Sequence, residues 1–258
     1  SSGFTINSKR IELIISFIKR RVWIMKSRPF MMMGIVFGLP AFVYLFFHTQ
    51  SLFKSNHFHP LNSPVWLIYL IFLVGAITLY ININSDIQEY RFNNQKIFQV
   101  ILSPVSPRQI IFFLVSAVVI ESFILSGFSG VILYLITGIE ISLKFVMYVV
   151  PSLLIFLLIL GALFVTISLV TEDYFIYNFL SVCIFLICIT APGIGIVNFS
   201  TSGTTNFWQF VPTTMIINFV LFILLADVKK WSLLLISGLV MLILLILNGE
   251  LLRRRIQR

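Results

Sequence analysis

Long, nearly uninterrupted apolar runs are the feature that most constrains this sequence. Six of them have lengths suited to helices that cross a bilayer, and they cover residues 30–47, 64–83, 109–136, 145–170, 176–197 and 232–247. They lack the two-residue alternation of outer-membrane barrel strands. Because 59% of the residues are hydrophobic and only 10% are charged, a soluble fold would have no polar coat. We therefore predict an all-α integral membrane protein, a single transmembrane domain over residues 1–258 with six transmembrane helices.

The segment before the first run, residues 7–28, has the pattern of an amphipathic helix. Ile11, Ile15 and Ile18 share one stripe, while Lys9 and Arg20 lie on the opposite side. Its many Lys and Arg residues suit the headgroups of an anionic leaflet. We predict an interfacial helix that lies along the membrane surface.

A polar island, residues 84–108, separates the second and third runs. Within it, Ile97, Phe98 and Ile101 share one side of a helical wheel, and Pro104 marks an end. The pattern predicts a short amphipathic helix over 92–102 that lies across a membrane face. Such an element presents a surface to something outside the bilayer.

The order of features around this island resembles the membrane subunit of an ABC-2 type exporter. A second span leads into Glu89-Tyr90-Arg91, then into an amphipathic helix, then into Leu-Ser-Pro-Val-Ser at 102–106, and then into a third span. In that family the loop is a cytoplasmic coupling helix that docks on a separate ATPase. The resemblance implies docking and force transfer by Glu89, Arg91, Phe98, Ile101, Ser103 and Pro104.

The resemblance also implies partners. We expect two copies of a cytosolic ABC ATPase subunit and either a second copy of this permease or a sibling permease, all working at a lipid bilayer. The chain has no G-x-x-x-x-G-K-[ST] phosphate loop, so ATP and Mg are expected in the partner subunit, and this chain is not expected to be an enzyme. It is expected to hold no catalytic residue, cofactor or metal of its own.

The charge distribution predicts the topology. The apolar stretch 212–226 is short for a full crossing, so we interpret residues 198–231 as an external or re-entrant helical hairpin. With six spans, fourteen of the eighteen Lys and Arg residues lie on the cytoplasmic side together with both termini. The net charge of +9 is explained by this bias, so we expect no nucleic acid partner. The Ile, Phe, Asn and Lys usage is typical of an AT-rich bacterial genome, which favours a bacterial plasma membrane.

The turn at 171–175 is a second candidate contact with the ATPase. It carries Glu172 and Asp173, and its first residue, Thr171, is positioned to cap the following helix. A simple helix cap at Thr171 and an ATPase contact through the two carboxylates are both compatible with the sequence.

Three further residues are candidates for a pathway or its gate. Glu121 lies deep in the third run, where a carboxylate is costly unless it is paired, protonated or hydrated. A functional acid and a protonated Glu hydrogen-bonded to a neighbouring helix remain open alternatives. Pro192 and Gly193 break the fifth run, and irregular backbone at membrane depth is tolerated only against protein or a wet cavity.

Two local pairs have simpler interpretations. His57 and His59 lie in a polar loop without Cys, Asp or Glu, so we interpret them as solvated residues and not as metal ligands. Glu140 and Lys144 are four residues apart and could pair on a helical turn.

The sequence thus favours a permease subunit that exports an amphipathic substrate such as a peptide, a drug or a lipid-like molecule. Two alternatives belong to other classes. One is an immunity or scaffold protein that works in the membrane without an ATPase, and the other is an ion-coupled carrier that uses Glu121 as its proton site.

Overall fold

A computed structural model describes residues 15, 19, 22, 23, 26, 27, 29–42, 44, 45, 64–93, 106–138, 142–191 and 210–256. Every secondary-structure element in these ranges is a helix. The elements are α1 (Pro29–Met33), α2 (Pro64–Ile87), α3 (Pro107–Thr137), α4 (Leu143–Val170), α5 (Tyr174–Thr190), α6 (Pro212–Ala226) and α7 (Trp231–Ile256). Two π-helical turns, Gly34–Gly38 and Gln88–Asn93, extend α1 and α2.

Among the described residues, four helices are long and apolar enough to cross a membrane, which is compatible with the predicted all-α membrane protein. Their apolar stretches are Leu67–Ile87, Gln109–Ile136, Leu143–Val170 and Trp231–Arg255. The first and fifth predicted spans appear within the described residues as the shorter apolar helices Pro29–Phe42 and Tyr174–Thr190.

Helix α2 packs along α3 and runs antiparallel to it. A Cβ at Gly75 would meet Ser126 of α3, and a Cβ at Gly130 of α3 would meet Ile71. Residue numbers therefore rise along one helix as they fall along the other. Because α2 also packs on α4 and α5, most of its side chains from residue 67 onward are buried.

Helices α4 and α7 run parallel to each other. Tyr148 near the start of α4 contacts Trp231 at the start of α7, with ring centroids 6.2 Å apart. Midway, Asn248 Nδ2 donates to the carbonyl of Ala162 at 2.8 Å, and near the end Arg255 Nη2 donates to the carbonyl of Thr171 at 3.3 Å. The chain between the end of α4 and the start of α7 must therefore cross the bundle an odd number of times.

Helix α6 is too short to make one of those crossings. It has 15 residues, and the carbonyl of Pro212 at its start accepts from Ser237 Oγ at 3.2 Å. Ser237 lies less than two turns past Trp231, about 9 Å along the α7 axis, whereas α7 is about 39 Å long. Helix α6 thus begins and ends in the same half of the bundle.

The bundle therefore has two distinct ends. We call the end that holds residues 171–173, the Gln88–Asn93 turn and Arg253–Arg255 the arginine end. The opposite end, which holds Lys144 and residues 227–230, is the lysine end. Helices α2, α4 and α7 finish at the arginine end, and α3 and α5 start there.

The π turn in α1 has a local cause. Pro40 has no N–H, so the carbonyl of Val36 loses its i+4 donor, and the N–H of Leu39 bonds to Gly34 instead of Ile35. Ser129 Oγ of α3 lies 3.4 Å from the Ile35 carbonyl and 3.5 Å from the Val36 carbonyl. These long contacts partly replace the missing bonds and hold α1 against α3.

Candidate functional site

Three aromatic side chains meet at the arginine end and form what we call the aromatic cluster. The ring of Phe92 lies 5.1 Å from that of Tyr174 and 5.6 Å from that of Tyr177, and the two tyrosine rings lie 6.4 Å apart. These distances are in the range of favourable ring contacts. Phe92 belongs to the π turn after α2, and the tyrosines belong to α5, so the cluster joins the polar island to α5.

A polar contact anchors the cluster to α2. The hydroxyl of Tyr177, whose side chain is fully buried, donates to Oδ1 of Asn84. A buried phenol needs such a partner, because a buried hydroxyl without one costs free energy. The tyrosine therefore fixes α5 against the last turns of α2.

Helix α2 continues into the predicted loop 84–108. The polar residues Asn84, Ser85 and Asp86 are α-helical, and Gln88–Asn93 form a π turn. Residues 94–105 lie outside the described residues, so the predicted helix over 92–102 is described only at its first two positions. Ser106 ends this segment as the N-cap of α3, and its Oγ accepts from the Gln109 N–H at 3.4 Å.

The turn at 171–173 corrects the predicted cap. Thr171 does not cap α5, because its hydroxyl donates back to the Ile167 carbonyl of α4 at 2.8 Å. Asp173 is the cap, and its Oδ1 accepts from the Phe175 N–H at 2.8 Å. Asp173 directly precedes the first turn of α5, where a carboxylate reaches a free N–H and is favoured by the helix dipole.

Arg255 connects this turn to the end of α7. Besides its bond to the Thr171 carbonyl, Arg255 Nη2 lies 3.8 Å from Oε1 of Glu172. The Glu172 side chain is 92% exposed, so its carboxylate contributes little energy but faces outward. Arg253 and Arg254 approach Glu250 at 3.4 Å and 3.9 Å on α7 itself.

The predicted docking residues are only partly described. Glu89 is partly buried in the π turn, and the backbone of Arg91 lies in the same turn. Phe98, Ile101, Ser103 and Pro104 lie outside the described residues, as do Pro192 and Gly193. The sequence indicates the polar island and the 171–173 turn as two separate candidate contacts. In the structure, the described part of the island meets this turn at one end of the bundle through the aromatic cluster.

Glu121 is buried in the middle of α3, with 4% of its surface exposed. Its neighbour Ser122 is fully buried, and Asn82 of α2 is 4% exposed. In the antiparallel register of α2 and α3, these positions lie within about one turn of each other. Glu121 is thus part of a polar band inside the bundle, far along the chain from the aromatic cluster.

At the lysine end, Lys144 forms an ion pair with a residue distant in sequence, and the predicted pair with Glu140 is not described. The Nζ of Lys144 lies 2.5 Å from Oδ1 of Asp227, whereas Glu140 lies outside the described residues. The hydrogen bond from Lys144, with its positive charge, lowers the pKa of Asp227. Asp227 has a φ of 55°, a left-handed conformation that Asp tolerates, and it ends α6.

Comparison with protein-family models and with curated proteins gave no match to this chain. Function must therefore be inferred from the residues themselves. Within the described ranges, no group of three or more His, Cys, Asp or Glu is placed to hold a metal ion. His57 and His59 lie outside those ranges. What the arginine end offers is a set of rigid contacts between helices, next to an exposed charged surface.

Sequence reasoning missed the aromatic cluster. The only available signal was the spacing of Tyr174 and Tyr177, which places both rings on one face of a helix. Phe92 gave no such signal, because its contact depends on α2 continuing as a helix into the polar island.

Proposed function

We propose that this chain is the membrane permease subunit of an ABC-2 type exporter. It moves an amphipathic substrate such as a peptide, a drug or a lipid-like molecule outward, driven by ATP that a separate cytosolic ATPase hydrolyses. Two ATPase copies and a second permease, identical or sibling, complete the transporter. The motif order around residues 84–108 supports the family, and the arrangement of the arginine end supports the mechanism.

One observation carries the proposal. The aromatic cluster links the helical extension that leads into residues 94–105 with the start of α5, and Arg255 links the same turn to α7. A displacement of the island would therefore reach α2, α4, α5 and α7 together. Packed rings and bonded helix ends transmit displacement well because protein interiors are close-packed.

The mechanism follows from these contacts. ATP binding closes the two ATPases and moves the segment 94–105. Because Phe92 lies at the start of that segment and contacts both tyrosines, the movement tilts α5 relative to α2. The tilt opens a path toward the opposite membrane face, a rigid-body transition of packed helices.

The proposed topology has six spans with both termini in the cytoplasm of a bacterial cell. The parallel direction of α4 and α7 supports it, because a full crossing by α6 would have made these two helices antiparallel. The clustering of Arg253–Arg255 at one end agrees with the positive-inside rule for a cytoplasmic arginine end.

Cysteine crosslinking tests the proposal. Cys183 and Cys188 are first replaced by Ser, and a single Cys is then placed at Glu172, which is exposed at the arginine end. We expect Glu172→Cys to crosslink to a co-expressed ATPase from the same genome and to resist an impermeant maleimide on intact cells. Purification of the wild-type chain should recover the same ATPase and change its ATP turnover.

Lys229→Cys is the matched control, because Lys229 is exposed at the lysine end. It should react with the impermeant maleimide and should not crosslink. If Glu172→Cys is labelled from outside, or if no ATPase is recovered with an active transporter, the proposal is wrong. Recovery of a toxic peptide without any ATPase would instead indicate an immunity or scaffold protein.

A second candidate function, an ion-coupled carrier, is favoured by the burial of Glu121 within α3. In that case transport would follow the proton gradient and stop in Glu121→Gln. In the ATP-driven exporter, collapse of the proton gradient at constant ATP leaves transport unchanged. Measuring export in vesicles with and without a protonophore separates the two functions.

A further inference from the structure

The first turn of α6 is a helix N-terminus placed inside the bundle. Pro212 occupies its first position, and the preceding residue, Val211, has no side-chain oxygen to cap the free N–H groups. Among the bonds between described residues, the first N–H of this helix to bond back along the chain is that of Met215, to the Val211 carbonyl at 3.1 Å. An uncapped N-terminus carries a partial positive charge, which is stronger in a low-dielectric interior.

Two buried hydroxyls lie in the same turn without a hydrogen-bond partner. Thr213 is fully buried and Thr214 is 5% exposed, and neither Oγ1 has a partner. Side chains on an α-helix tilt toward its N-terminus, so both threonines lean toward the free N–H groups. A buried hydroxyl without a partner costs free energy, which a bound acceptor would recover.

Neighbouring helices add further small polar groups. The Thr213 side chain also faces the thiol of Cys188 on α5, which is only a weak hydrogen-bond partner. Ser152 on α4 is fully buried with an unpartnered Oγ, and it lies one turn from Tyr148, which contacts Phe219 of α6. Val211 and Pro212 are partly exposed, so the turn is reachable from one side.

We propose that Thr213, Thr214 and the N-terminal turn of α6 bind the carboxylate of an amphipathic acid, whose alkyl part lies along the surrounding apolar side chains. The free N–H groups and hydroxyls donate to the carboxylate oxygens. No Lys or Arg belongs to the described residues of this site, which suits a single negative charge better than a phosphate dianion. The interpretation of this site as a substrate site rests on the proposed function, whereas binding of the acid itself requires no ATPase.

The test measures binding of radiolabelled octanoate to the full chain in nanodiscs, with empty nanodiscs subtracted. Wild-type protein should bind about one octanoate per chain saturably. Thr213→Val with Thr214→Val keeps the side-chain shape and removes the donors, and it should weaken binding at least tenfold. The matched control is Thr190→Val, which removes an exposed hydroxyl on α5 that bonds only to its own helix at Leu186.

Competition with unlabelled ligands tests which chemical group the site binds. Unlabelled octanoate should displace the label, while octanol and octyltrimethylammonium should not, and octyl phosphate should compete more weakly. Absence of saturable binding, unchanged binding in the double variant, or equal competition by octanol would overturn the proposal. If octanoate binds as described but no ATPase is recovered with the chain, the exporter function fails while this site stands.

Discussion

Each end of the bundle is stabilised by a cluster of aromatic rings and a charged contact, but the contacts at the two ends join different helices. At the lysine end, Tyr148, Phe219 and Trp231 form a ring cluster, and Lys144 pairs with Asp227. Among the described residues, these contacts join α4, α6 and the start of α7. They do not reach α2 or the polar island.

The arginine end also has a ring cluster and a charged contact, yet it reaches further along the chain. Its cluster includes Phe92, which lies on the extension of α2 that leads into residues 94–105. Its charged contact includes a backbone carbonyl, that of Thr171, so it fixes the position of the chain itself and not only of a side chain. The comparison indicates that damage at the lysine end affects stability alone, whereas damage at the arginine end also affects coupling.

The largest expected effect comes from Phe92→Ala. Loss of the ring removes both contacts with the tyrosines of α5, while the partly buried position limits the loss of stability. We expect ATP-driven export to fall about threefold to thirtyfold, which corresponds to the coupling energies that single side chains carry. Binding of the ATPase should be retained. Export from inverted vesicles and ATPase recovery on purification measure the two quantities.

Phe112→Ala is the control for that change. Phe112 is 50% exposed on α3, and its only described ring contact is with its neighbour Phe113. Its export should stay close to wild type. Equal losses in the two variants would show that the aromatic cluster has no special part in coupling.

The second effect concerns Asn248, which joins α7 to α4. Asn248 accepts from Thr166 Oγ1 at 2.7 Å and donates to Ala162, and its side chain is fully buried. Asn248→Leu should lower the free energy of unfolding in a detergent titration by about 1 kcal/mol, since hydrogen bonds between membrane helices average about 0.6 kcal/mol with a maximum of about 1.7 kcal/mol.

A double-mutant cycle with Thr166→Val sharpens this result. If the two side chains interact directly, the double variant should lose less than the sum of the single losses. Additive losses would indicate that the contact between the two side chains contributes nothing to the parallel pairing of α4 and α7.

A third and smaller effect is expected at Arg255. Arg255→Gln loses the ion pair with Glu172 and weakens the bond to the Thr171 carbonyl, which should cost about 0.5–1 kcal/mol in unfolding free energy and reduce export about twofold. Arg254→Gln is the control, because Arg254 is 75% exposed at the side chain and only approaches Glu250. If Arg254→Gln reduces export as much as Arg255→Gln, net charge and not the specific contact is responsible.

The helices themselves could be predicted from the sequence because hydropathy alone decides where a membrane helix lies. The third predicted run, 109–136, differs from α3 by only a few residues, and Ser106-Pro107 is a readable helix start. The contacts between helices could not be predicted in this way. Spacing along the chain offers Glu140 as a partner for Lys144, but it gives no sign of the described partner Asp227, which follows another helix.

For the candidate site, likewise, the sequence predicts where the polar segments lie but not how they contact each other. Its location at residues 84–108 and 171–175 followed from polarity, because charged residues must lie outside the hydrocarbon. The way in which these segments meet did not, since it depends on α2 extending through Asn93. The cap of α5 was assigned to Thr171 and belongs to Asp173, because the hydroxyl of Thr171 bonds back to its own helix instead.

The smallest expected effect lies at the lysine end. The pKa of Asp227 is lowered by Lys144, so the pair stabilises the fold above the ordinary Asp value of 3.8 and loses its contribution as the pH falls through the lowered pKa. Because both side chains are exposed, 41% for Lys144 and 77% for Asp227, solvent screens the pair, and Asp227→Asn should lower the Tm at pH 7 by at most a few degrees. The difference in Tm between wild type and Asp227→Asn should shrink below pH 3.8 and in high salt, and export at pH 7 should be unchanged. A loss of export as large as that of Phe92→Ala would contradict the view that the lysine end contributes stability alone.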